Sequence, residues 1–154
     1  MTGDAALVAQ QKPVFVRFLS SVQFATADNE RRWPVPVGWQ EVPGGQFLVA
    51  KFAIAGGASV NVSSSAGNGG GLAANVNRWR KQLGLDEMAG DQIAKSVTTS
   101  GEVTLVTLTG ANASLVGAIV TRPGQTWFYK LMGDAKVVAA QKDAFIKFVN
   151  EVKY

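Results

Sequence analysis

Two stretches of this 154-residue sequence hold residue types that could do chemistry. The first is Ala66-Gly67-Asn68-Gly69-Gly70-Gly71, a glycine-rich run just before a helical pattern, where free backbone N–H groups could cradle an anion. Its spacing argues against a nucleotide. Leu72 and Ala73 stand where G-x-G-x-x-G or G-x-x-x-x-G-K-[ST] needs its last glycine or its lysine. The plainer reading is a flexible strand-to-helix connection with Asn68 as a cap. The second stretch is Arg78-Trp79-Arg80-Lys81, whose cations flank an aromatic and could meet an acidic partner or nucleic acid. Helical spacing separates these residues. Trp79 joins Val76 and Leu83 on a buried stripe, Arg80 and Lys81 face elsewhere, and Arg78 and Asn75 fall at the stripe's edge, within reach of loop carbonyls. Trp39 and Trp127, with Trp33, are candidates for a ligand groove, although large aromatics in a domain of this size more often fill the core.

Composition removes most other chemistry. With no Cys and no His there are no disulfides, no thiolate or Ser-His-Asp catalysis, and no zinc site of the ordinary kinds. The eleven acids form no close pair in an apolar context, and Asp86, Glu87 and Asp91 lack the alternation of a calcium loop. The expectation is therefore no catalytic residue, no metal and no cofactor. A net charge of +4 is small, and its fifteen Lys and Arg are spread along the chain, which argues against nucleic acid as a partner. No apolar window is long enough to span a bilayer, and no export signal is visible at the start of the chain. With 47% hydrophobic and 17% charged residues, the chain should fold as a globular domain.

The elements that must position these residues begin with a duplication. Residues 2–24 align without gaps with residues 132–154, and the identities are Gly3/Gly133, Asp4/Asp134, Ala5/Ala135, Val8/Val138, Ala9/Ala139, Gln11/Gln141, Lys12/Lys142, Phe15/Phe145, Phe18/Phe148 and Val22/Val152. Each copy reads as a helix capped by Asp4 or Asp134, with one apolar stripe that must be covered. Pro13, opposite Asp143, interrupts the first copy. Phe15, Phe18 and Val22 then form a docking face, either as the closing helix of a preceding repeat or as a second helix packed on the same sheet or exchanged between protomers.

Residues 25–32 read as a linker, and residues 33–154 as the domain proper. There, residues 33–39 are extended by their prolines, and strands are expected at 46–54 and 58–64, joined through Gly56-Gly57. A helix follows at 72–83, a loop at 85–95, strands near 95–99, 102–109, 114–122 and 126–131, and a closing helix at 134–151. Strands grouped in sequence imply an α+β fold, an antiparallel β-sheet flanked by helices.

Residues 33–39, 75–85 and 127–134, with Gln141, Lys142, Phe145 and Phe148, resemble a bacterial envelope, lipoprotein-type family of uncharacterised activity with a PsbP-like fold. The resemblance covers roughly residues 30–154. It implies an α/β/α sandwich, a periplasmic or cell-envelope setting, and an accessory role without catalysis; residues 3–24 then look like the tail of an upstream copy. The reading that follows is a non-catalytic binding or assembly module that docks to a larger protein or to copies of itself. Its docking residues are Phe15, Phe18, Val22, Arg78, Arg80 and Lys81. The alternative is a carrier of a small ligand or anion that uses residues 67–71 with Trp39 and Trp127.

Overall fold

The computed structural model describes residues 33–154. The expected helix at residues 1–24, with Phe15, Phe18 and Val22, and the linker at 25–32 lie outside the described residues.

Short stretches in which apolar and polar residues alternate build an antiparallel sheet. The described strands are β1 (Trp39–Glu41), β2 (Ala50–Ile54), β3 (Ala58–Ala66), β4 (Val97–Ser100), β5 (Val103–Thr109), β6 (Ser114–Arg122) and β7 (Gln125–Gly133). Their order across the sheet is β1-β2-β3-β7-β6-β5-β4, and every neighbouring pair is antiparallel. The turns follow from glycines that reach positive φ: Gly56 and Gly57, both at 89°, close the β2–β3 hairpin, and Gly124 at 76° closes β6–β7.

The helices are α1 (Leu72–Gln82), α2 (Gly90–Ser96) and α3 (Ala135–Glu151). The fold is α+β, with helices on both faces of the sheet. The period-2 alternation of the strands sorts the two cores. Phe52, Val60, Val116, Tyr129 and Leu131 point to the side of α3, which adds Val138, Phe145, Phe148 and Val149. Leu115, Ile119, Val106 and Leu108 point to the other side and meet Val76 and Trp79 of α1 and Ile93 of α2. Buried by both layers, β6 reads as an almost unbroken apolar run.

The carboxylate of Asp134 caps α3 by accepting from the backbone N–H groups of Lys136 and Val137, at 2.9 and 3.1 Å. Gln141 faces inward, where its Oε1 accepts from Trp39 Nε1 at 2.8 Å.

Several boundaries differ from the sequence reading. The strand expected at 46–54 starts only at Ala50, because Val49 and the 83% exposed Phe47 belong to the connecting segment. The loop expected at 85–95 gives way from Gly90 to α2, about two turns anchored by Ile93 and too brief to show a helical period. As α2 runs through Ser96, β4 begins at Val97 instead of 95.

Candidate functional site

The glycine-rich run is not an anion cradle. Its N–H groups are already used: Gly67 donates to Gly124 O, Gly69 to Ala66 O, Gly71 to Asn68 O, and Gly70 to the Asn68 side chain. Asn68 therefore closes a local Asx turn and does not cap α1, whose first flanking residue is Gly71. The run serves as the strand-to-helix connection.

Trp39 and Trp127 form no ligand groove, which corrects that expectation. They are 6% and 2% exposed and belong to the core on the α3 side, so a ligand has no face of either ring to meet.

The cationic segment divides as its spacing predicts. Trp79 is buried against the sheet. Arg80 Nε donates to Asp86 O at 2.7 Å and ties down the loop after the helix, while Lys81 is exposed. Asn75, only 2% exposed, donates from Nδ2 to the carbonyls of Gly69 and Gly71 at 2.9 and 2.7 Å. Arg78 makes no bond to a loop carbonyl; its Nη2 donates to Asn75 Oδ1 at 2.6 Å.

Arg78 is thereby held over the sheet beside a group no sequence argument had joined to it. A pocket of about 120 Å³ opens between α1 and the central strands, with Asn61 and Ser63 of β3, Phe128 and Lys130 of β7, and Arg78 and Gln82 of α1 on its walls. Across the β3–β7 ladder Asn61 is the direct partner of Lys130, and Ser63 of Phe128, so all four share one face. This is where the apolar cover of α1 ends. On the same side, β3 offers Ser59, Asn61 and Ser63 between its buried valines.

Lys130 is half-buried, and its Nζ donates to Gln82 Oε1 at 2.7 Å. Among the described residues neither Lys130 nor Arg78 has a carboxylate partner. The side-chain oxygen of Asn61 is buried without a hydrogen-bond partner. A larger cavity of about 480 Å³ lies beside Phe148, but its charged residues, Lys147 and Glu151, offset each other at 3.9 Å. Among the described residues the smaller pocket brings together two cations without a carboxylate partner and an unpartnered acceptor.

Burial, and after it the charge of Arg78, hold the Lys130 ammonium below its ordinary 10.5. Within the window between that lowered value and 10.5 the unfolded chain binds the proton more tightly, so this group makes stability increase as pH rises. Lys130→Met is expected to lack that alkaline increase; at neutral pH it relieves the desolvation of the ammonium and its repulsion from Arg78 and gives up the bond to Gln82. Parallel urea titrations of both proteins across this window check it; identical pH dependence would remove Lys130 from the account.

Lys130, Asn61, Ser63 and Gln82 were missed in the sequence. The available signal was a lysine on the Phe128–Met132 face of an otherwise apolar strand, opposite the face of Trp127, Tyr129 and Leu131. No protein-family model matches the sequence, and no curated protein does.

Proposed function

We propose that the chain is a non-catalytic binding and assembly module of the cell envelope, with a PsbP-like sandwich, whose residues 3–24 dock onto the same kind of sheet surface that α3 covers in its own domain. The observation that carries this reading is where the duplication falls. The positions of α3 that do structural work recur in the first copy: Val138, Phe145, Phe148 and Val152 are buried, Asp134 caps and Gln141 bonds Trp39. Their counterparts are Val8, Phe15, Phe18, Val22, Asp4 and Gln11. Among the exposed positions Lys136, Ala140, Lys147 and Asn150 are replaced while Ala135, Ala139 and Lys142 are kept, and the buried Val149 becomes Leu19. Pro13 stands at the place of Asp143, which is exposed, so the change spares the stripe.

The sheet of the domain already carries α3, which is tethered to it and has no proline. The first copy, interrupted by Pro13, is the weaker competitor for that bed, which favours a sheet in a second copy of the chain or in a larger protein. A sheet layered between helices and the absence, among the described residues, of any helix long and apolar enough to cross a membrane are compatible with this role.

Light scattering on the full chain from dilute to near-millimolar concentration tests it. The mass should rise above the 16.2 kDa of one chain, and Phe15→Asp with Phe18→Asp should restore that value. A single-chain mass throughout would overturn self-association, and with no copurifying partner it would overturn docking as well.

A further inference from the structure

We propose that the pocket between α1 and strands β3 and β7 binds a small carboxylate that carries a hydroxyl on the adjacent carbon, a 2-hydroxy acid. The proposal is independent of any docking by residues 3–24.

The pocket's unmet needs define the ligand. Arg78 and Lys130 converge on it, and each has committed one donor inside the protein, Arg78 to Asn75 and Lys130 to Gln82. Four further N–H donors remain on Arg78 and two ammonium donors on Lys130, with no carboxylate of the described residues to accept from them. Two like charges facing one cavity call for an oxyanion between them. A carboxylate meets that need.

Asn61 adds a second requirement of opposite sense. Its Oδ1 is buried and unpartnered, and an acceptor left in that state costs folding free energy. A plain carboxylate, which only accepts, does nothing for it. A water would satisfy Oδ1 but leave both cations uncompensated. A hydroxyl next to the carboxylate supplies the missing donor, with Asn61 directly across the ladder from Lys130. Inorganic phosphate keeps one P–O–H even as its dianion, so it is the competing occupant that the titration below separates from a hydroxy acid.

Size agrees. The pocket is small, about 120 Å³, which suits the head of a hydroxy acid. The proposal is of binding, with no catalytic step.

The full chain is titrated separately with glycolate, acetate and inorganic phosphate while the side-chain Nζ and Cε resonances of Lys130 are followed by NMR. Glycolate should saturate, move the Lys130 titration to higher pH, and bind about tenfold more tightly than acetate, the difference a single well-placed hydrogen bond makes. Phosphate should bind more weakly than glycolate. Arg78→Met changes an exposed side chain and should abolish saturable glycolate binding while keeping the near-ultraviolet circular dichroism of the fold. Asn61→Ala should reduce glycolate to the affinity of acetate and leave acetate unchanged. Equal affinity for glycolate and acetate in the unaltered chain, no saturation by glycolate, tighter binding of phosphate, or undiminished binding by Arg78→Met would each overturn the proposal.

Discussion

Phe148→Ala is expected to lower folding stability by about 3–5 kcal/mol, the range for removing a fully buried aromatic ring. The ring is 1% exposed and touches an aromatic on every side. It stacks on Trp33 at 5.9 Å, meets Trp39 at 5.3 Å, and packs edge-on against Phe52 and Tyr129 at 5.4 and 6.1 Å between centroids. Four rings from the β1 region, β2 and β7 thus share one side chain of α3, and none can fill the vacancy without leaving its own neighbours. Urea unfolding followed by tryptophan fluorescence measures the loss, and a melting temperature lower by on the order of 10 °C should accompany it. Phe47→Ala is the control: that ring is 83% exposed and its removal should change stability by no more than about 0.5 kcal/mol. A loss below about 1 kcal/mol for Phe148→Ala would contradict the packing described.

The second large effect comes from adding one carbon. At Gly117 a Cβ would stand 2.6 Å from Cε3 and 2.8 Å from Cη2 of Trp79, and closer still to Cζ3. Trp79 is 5% exposed and wedged between α1 and the sheet, so the ring cannot swing into open space. Gly117→Ala should cost about 3 kcal/mol or more, at the upper end of overpacking penalties. Its signature is non-additivity. Trp79→Leu removes the obstructing ring, so Gly117→Ala introduced after it should cost much less than in the unaltered chain. Equal costs in the two backgrounds would show that Gly117 is required for some reason other than Trp79.

These two sites also show what the residues announce by themselves. Phe148 and its stripe were legible because a capping Asp134 and apolar positions at helical spacing point to the same helix, and a strand such as β6 is marked by its apolar run and flanking turn residues. Gly117 was not legible, since its requirement comes from a ring on another element that only tertiary packing brings over it. The seven residues of α2 hold one buried apolar side chain, Ile93, which is too little for a period. The pocket was half legible. Spacing placed Arg78 and Asn75 together at the edge of the stripe, but Lys130 and Asn61 become neighbours only through the β3–β7 pairing, the least local contact in the sheet. The glycine run misled because its N–H groups looked available, whereas those of the four glycines donate to Gly124, Ala66 and Asn68.

That β3–β7 pairing has a mechanical meaning. Strands β1 to β3 follow one another as a meander, as do β4 to β7, and the sheet joins these two halves along a single seam. Each half has short loops and low entropic cost, while the seam must close over all the chain between Asn61 and Lys130. The core under α3 draws Phe52 and Val60 from one half and Val116 and Tyr129 from the other, so this last helix lies across the join like a latch. Loosening the latch removes the one described helix whose core contacts reach into both halves of the sheet on that face.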